Sequence, residues 1–224
     1  MKYLNSADKE EFEFRENTYI LKGGDIDKIS SRYNTKLLGA HNQINLALAI
    51  KAVQALGLGV DSIKKTLDHF QGVPGRLEMR REIGNIKYFN DTCATTPEAS
   101  KAAIISIKTL GPAILIAGGR DKELDMSGYV DFLVTAKSEG VLKEIILLKD
   151  DTTSGTDILI KGFEDRNFSD FHLADDIKIA LSTAHELVQP GEVVLFSPAF
   201  ASFGMFKNEY DRGDKFNEAL DALS

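Results

Sequence analysis

The stretch YFNDTCATTPEAS, residues 88–100, begins apolar and turns abruptly polar. Asn90, Asp91, Thr92, Cys93, Thr95 and Thr96 stand together ahead of Pro97. Such a run of carbonyl, carboxylate and hydroxyl groups could hold a ligand. It could also simply cap a helix starting at Pro97, with Thr95 or Thr96 as the capping residue. Capping alone does not call for Asn90 or Asp91. GGRDK, residues 118–122, is a second candidate. Its glycines let backbone amides approach a ligand closely, and Lys122 supplies a cation suited to a carboxylate or phosphate. The alternative is a tight strand-to-helix turn with solvated charges. The third candidate is SPAFASFGMFKN, residues 197–208, where Ser202, Phe203 and Gly204 offer hydroxyl and backbone donors. At a helix N-terminus these would bind an anion; otherwise the stretch is an apolar helix lead-in.

Other chemistries lack their motifs. Ser197 has no G-x-S-x-G around it, which argues against a serine hydrolase. Cys93 has no histidine near it in sequence and reads as a structural or merely variable cysteine. The four histidines form no H-x-x-x-H pair, so a zinc site is not expected. Neither the phosphate-binding G-x-x-x-x-G-K-[ST] nor the dinucleotide fingerprint G-x-G-x-x-G occurs.

The elements that must position these residues follow from periodicity. Residues 1–40 read as short strands and turns, too little for a core of their own. From His41 the apolar spacing becomes helical and ends on Gly57, and Asp61 is placed as the cap of a second helix. Residues 71–76, QGVPGR, form a linker and a domain boundary. A hairpin turning at Gly84–Asn85 comes next, then helix and strand alternate. Helices are expected at 97–106, 127–138, 156–163 and 176–188, with a last one ending near Leu223. Strands are expected at 113–119, 144–149, 170–174 and 193–198. The interior strands are unbroken Ile/Leu/Val runs, the mark of a parallel sheet covered on both faces. The fold class is therefore α/β, a Rossmann-like, doubly wound, mostly parallel sheet. Ligands of such sheets bind beyond the carboxyl ends of the strands, and all three polar stretches follow strands.

Composition narrows the partners. The chain has 224 residues, 43% hydrophobic and 27% charged, enough to bury a sizeable core. A net charge of −7 argues against a nucleic-acid or anionic-membrane surface, so any anion site must be a local cluster of cations. One cysteine allows no internal disulfide and fits a reducing compartment such as the cytoplasm. The apolar runs are too short to span a bilayer, and the N-terminus has no signal-peptide core.

Taken in order, GAHNQINLALA, FQGVPGRLE, YFNDTCATTPEAS, LIAGGRDK and LFSPAFASFGMFKNEYDRG resemble the Mur ligase family, from about Leu38 to Leu223. The string SPA-x-AS-x-x-x-FKN-x-x-x-RG resembles the members that add D-glutamate to UDP-N-acetylmuramoyl-L-alanine in peptidoglycan precursor synthesis. Such enzymes have three domains, and the resemblance implies a fragment. Residues 1–73 would be a remnant of the central ATP-binding domain, and 74–224 the amino-acid-binding domain. The implied roles are specific. Asn42 and Asn45 approach adenine, Arg76 reaches the ATP phosphates from the hinge, and Asp91 binds the ribose. Thr95, Lys122, Ser202, Phe203 and Phe206 form the D-glutamate pocket. ATP and Mg2+ are the implied cofactors, and a monomer is expected. Without a phosphate-binding loop, this chain alone should not catalyse ligation. Cys93 stands where some members have a lysine that contributes to glutamate binding, and Glu209 where some have an aromatic residue. The competing readings are a glutamate-adding folate ligase and a non-catalytic amino-acid or nucleotide-binding module.

Overall fold

The computed structural model describes Tyr33 and residues 35–223. The short strands expected in the first 32 residues lie outside the described residues. The chain divides into two compact units between Gln71 and Gly72.

In the first unit, helix α1 (Ala40–Ala55) and helix α2 (Val60–His69) pack through Leu46, Ala47, Ile50 and Ile63, with Tyr33 in the same cluster. Gly39 precedes α1 with φ +91°, a conformation suited to a residue without a Cβ. The cap of α2 differs from the sequence reading. The helix starts at Val60 after Gly59, so Asp61 lies in the first turn, where its charge opposes the helix dipole favourably.

The second unit is built on one six-stranded sheet. Strands β1 (Glu78–Ile83) and β2 (Ile86–Asn90) form the expected antiparallel hairpin around Gly84 and Asn85, both with positive φ. The remaining strands are β3 (Ala113–Ala117), β4 (Leu142–Leu148), β5 (His172–Ala174) and β6 (Val193–Phe196). Sheet order is β1-β2-β6-β3-β4-β5, and every pair after the hairpin is parallel.

Between strands run α3 (Pro97–Ile107), α4 (Ser127–Ser138), α5 (Ser154–Glu164), α6 (Ile177–Leu187) and α7 (Glu209–Asp221). Their starts are chemically marked. Thr96 accepts the Ala99 amide ahead of Pro97, Asp176 accepts the amides of Lys178 and Ile179, and Asn208 accepts that of Asp211. Two helix layers sandwich the sheet. Tyr88, Ile114, Ile116, Ile146, Val194 and Phe196 meet Ile177, Ala180, Leu181, Ala184, Phe216 and Leu220 of α6 and α7. The alternate positions, among them Leu115, Ile145, Leu147 and Leu195, are fully buried and point to the other face. Burial on both faces explains why these strands do not alternate in polarity.

The last strand, β6, sits between β2 and β3. Winding runs outward through β3, β4 and β5, then returns to fill the gap. That reversal is the topological switch point, where the helices that follow neighbouring strands depart to opposite faces and leave a crevice. The three polar stretches follow β2, β6 and β3, the three adjacent strands at the reversal.

Candidate functional site

Strand register brings the three loops to one level. Asn90 lies opposite Phe196, and Phe196 opposite Ile116. The ladders extend one residue further: Asp91 N–H donates to Phe196 O (2.8 Å), and Ser197 N–H donates to Ile116 O (3.1 Å). Asp91 is thereby delivered beside Ser197, whose Oγ donates to Asp91 Oδ2 at 2.7 Å. The other oxygen, Oδ1, accepts the Leu77 amide at 2.9 Å. Asp91 is only 7% exposed. Burial pushes its carboxyl up to about 6, against the opposing pull of Ser197, Leu77 and the Arg76 guanidinium.

Thr95 and Lys122 meet at the mouth of the crevice. Lys122 Nζ donates to Thr95 Oγ1 at 3.0 Å and to Thr95 O at 3.1 Å. Lys122 is exposed, so a cation and a hydroxyl are presented together to solvent. Thr96, not Thr95, is the helix cap, which leaves the Thr95 hydroxyl to its lysine.

Ser202, Phe203 and Phe206 line a shallow cleft with Gly118, Gly119 and Arg212. Reciprocal backbone bonds between Arg120 and Ala201 (3.0 and 3.1 Å) join this cleft to the loop carrying Lys122. Ser202 is buried and its carbonyl accepts the Phe206 amide, whereas Phe203 stays 57% exposed. Ser202 does not sit at a helix N-terminus, as the sequence reading had it. Helix α7 begins seven residues later, at Glu209, because Asn208 and Asp211 supply the capping chemistry there.

The glycine pair also has a different duty. Gly118 N–H donates to Pro198 O (3.0 Å) and Gly119 N–H to Thr156 Oγ1 (3.1 Å), so neither amide is offered to a ligand. A Cβ on Gly118 would come 2.7 Å from Thr156 Oγ1 and 2.8 Å from Leu148 O. These glycines let the β3 loop pack flat on its neighbours and so fix where Lys122 begins.

Asn42 and Asn45 lie in the first unit, three residues apart on α1. Asn42 Nδ2 donates back to Leu38 O at 2.8 Å, and Asn45 is exposed. Arg76, also exposed, follows a tight turn closed by its amide on Val73 O (3.1 Å).

One residue that builds the site, Arg212, is not singled out by the sequence reading. Arg212 is 1% exposed and spans two of the loops. Its guanidinium donates to Thr92 Oγ1 (3.1 Å), Thr92 O (2.7 Å) and Phe200 O (3.0 Å). Burial pulls its pKa down to about 10, with Glu209 and then Cys93 acting in the other direction. A signal was available, since a cation in the first turn of a helix opposes the dipole and needs another reason to be there. Asn90 is likewise structural, its amide donating to Gly213 O and Asn217 Oδ1, both at 3.1 Å. Ser197 serves as a buttress to Asp91 rather than a nucleophile. Burial raises the thiol pKa of half-buried Cys93, which keeps it protonated. Among the described residues no group of three His, Cys, Asp or Glu side chains could hold a metal ion. Nor, among the described residues, is any helix long and apolar enough to cross a membrane.

Residues 75–200 match the family of Mur ligase glutamate ligase domains. The UDP-N-acetylmuramoylalanine--D-glutamate ligase of Roseiflexus sp. (strain RS-1) is 34% identical over 196 residues, 88% of this chain and 40% of that protein. The ligase of the same name from Clostridium tetani is 36% identical over 212 residues, 93% of this chain and 43% of that protein. The chain thus spans about two fifths of the length of these relatives. Among solved structures, MurF ligase from Thermotoga maritima in complex with ADP superposes with a TM-score of 0.57 at 19% identity, over 83% of this chain and 40% of that one. E. coli FolC in complex with ADP gives 0.57 at 18% identity, over 80% and 39%. At these identities the structural likeness speaks to the fold, and the sequence matches speak to descent. The family match covers more than half of the chain and takes in the β2 and β3 loops and the start of the β6 loop, so the chain belongs to the Mur ligase family, through its glutamate ligase domain.

Proposed function

We propose that this chain carries the amino-acid-binding part of an ATP-dependent ligase that adds D-glutamate to UDP-N-acetylmuramoyl-L-alanine. The observation that carries the reading is the Lys122–Thr95 pair, a solvent-facing cation and hydroxyl 3.0 Å apart at the switch point of the sheet. A carboxylate accepts from both without removing either from its element. Ser202, Phe203 and Phe206 line the adjoining shallow cleft, and they are proposed to contact the rest of the amino acid at its surface. The names of the 31–36% identical relatives support glutamate as that amino acid.

In the whole reaction ATP phosphorylates the alanyl carboxylate, and ADP leaves. The amine of D-glutamate then attacks the acyl phosphate; the carbon–nitrogen bond forms, phosphate departs, and the amine sheds a proton. This chain's part is to bind and aim the amine, which is a proximity contribution. Asn42, Asn45, Arg76 and Asp91 are its proposed contacts to ATP. With both Asp91 oxygens already accepting protein donors, a ribose hydroxyl would have to share their remaining lone pairs. Mg2+ would neutralise the phosphates, held mainly by their own oxygens and water, since the described residues offer no cluster of three His, Cys, Asp or Glu side chains. The protein is proposed to act as a cytoplasmic monomer.

Amide chemical-shift titration of the chain with D-glutamate, and L-glutamate as control, tests the reading. Shifts for the D isomer clustered at Thr95, Lys122 and Ser202 are expected. Equal response to both isomers, or shifts elsewhere, would remove the substrate assignment and leave the family in place.

A further inference from the structure

Leu77 is buried and has φ +47°, the left-handed region that side-chain-bearing residues avoid. It ends residues 72–77, the segment by which the chain enters the second unit. Nothing local favours that conformation in a leucine. It is held from outside: Leu77 N–H donates to Asp91 Oδ1 at 2.9 Å, across 14 residues. Two further bonds pin the same segment. Cys93 N–H donates to Gly75 O (2.9 Å), and Gly75 N–H to Glu78 Oε2 (2.9 Å). A Cβ on Gly75 would come 2.8 Å from Thr92 Cγ2, so the segment lies tightly on the loop between β2 and α3.

We propose that Asp91 is a positioning residue for the linker: its carboxylate holds Leu77 in the left-handed backbone and so fixes the path on which residues 72–77 enter the second unit. This duty is separate from nucleotide contact and does not rest on the ligase reading. The two oxygens divide the work, Oδ2 fixed to the sheet through Ser197 and Oδ1 turned to the linker. The buried Leu77 amide has a charged acceptor there, the strong kind, and loses it when the carboxylate is removed. The charged and titratable groups facing Asp91 are Arg76 from the linker, Cys93 from its own loop and Tyr129 from α4.

Amide hydrogen exchange and 15N relaxation on the chain without any ligand provide the test. In Asp91→Ala the Leu77 amide should exchange on the order of 10-fold faster or more, the loss of one charge-assisted hydrogen bond. Residues 72–77 should gain motion while β3 and β4 amides keep their protection. Should Asp91→Ala fail to fold, the wild-type chain decides, because the Leu77 amide proton shift must follow the carboxyl titration near pH 6. A Leu77 amide that exchanges like an exposed one in the wild type, is indifferent to Asp91→Ala, or ignores that titration would overturn the proposal.

Discussion

Ser197 Oγ donates to Asp91 Oδ2 at 2.7 Å across 106 residues of sequence, inside the rim where two parallel strands end. The bond holds a carboxylate in a place that burial makes unfavourable for charge. Its carboxyl binds a proton more tightly in the folded chain, at about 6, than at the unfolded value of 3.8. Between those values the folded state holds more protons. The Asp91 contribution to stability is therefore fullest below about pH 4 and is lost as pH rises through about 6, by about 3 kcal/mol. Urea unfolding of the wild type and Asp91→Asn across pH 4 to 7 checks this. The asparagine variant should lack that component of the slope, and parallel profiles would show Asp91 to titrate as an ordinary carboxylate.

Removing the cation at the mouth should affect binding without affecting folding. Lys122 is exposed and, among the described residues, its ammonium hydrogen-bonds only to Thr95. Lys122→Ala should weaken D-glutamate binding by ~10-fold or more, the worth of a charge-assisted bond, and leave the thermal midpoint nearly unchanged. Isothermal titration beside a thermal melt separates the two. Unchanged affinity would take Lys122 out of the site.

Gly118 should tolerate no side chain. Its φ of +117° and the 2.7 Å approach to Thr156 Oγ1 both forbid a Cβ. Gly118→Ala should cost about 3 kcal/mol or more, against ~1 kcal/mol for Gly140→Ala, where φ is positive but the space is open. Chemical denaturation of the two variants gives the comparison directly, and equal losses would mean that the close packing under the β3 loop is not limiting.

Arg212 holds Thr92 and Phe200 with three hydrogen bonds from the interior. Arg212→Met leaves two buried carbonyls without that donor, and a loss of roughly 3 kcal/mol follows. Arg212→Lys should rescue only part, since an ammonium cannot reproduce the planar fork. Full rescue by lysine would assign the residue's value to charge alone.

Supplied with ATP, UDP-N-acetylmuramoyl-L-alanine and D-glutamate, the isolated chain should release no phosphate above background, because its sequence has no G-x-x-x-x-G-K-[ST] loop. A coupled phosphate assay decides, and turnover would mean that the phosphates are held by other residues of this chain.

Much of the architecture could be read before any coordinates. The unbroken apolar runs at 113–117 and 193–196 announced strands covered on both faces, and Pro97 and Asp176 marked helix starts closely. The three polar loops were found for a sound reason, since each follows a parallel strand. What periodicity could not supply was neighbourhood. That Asp91 meets Ser197, or Arg212 meets Thr92, depends on where β6 inserts, and strand order is not written in local pattern. The glycine pair misled for a related reason: its amides are used by Pro198 and Thr156, partners 80 and 37 residues away. Ser202 resembles a helix start in local pattern, but Asn208 and Asp211 supply the capping chemistry six and nine residues on, and the helix begins there.

The position of β6 also bears on how the chain acquires its shape. Until residues 193–196 arrive, β2 and β3 have no partner between them, and the sheet exists as a hairpin and a separate three-stranded piece. The contacts that unite them span about a hundred residues, and closing such long loops is slow relative to forming helices and hairpins. Insertion of this one strand joins the halves of the sheet and, in the same act, brings Asp91 to Ser197 and the Arg120 loop to Ala201. A nascent or clipped chain ending before Val193 is therefore expected to lack the binding rim altogether rather than to hold a weakened one.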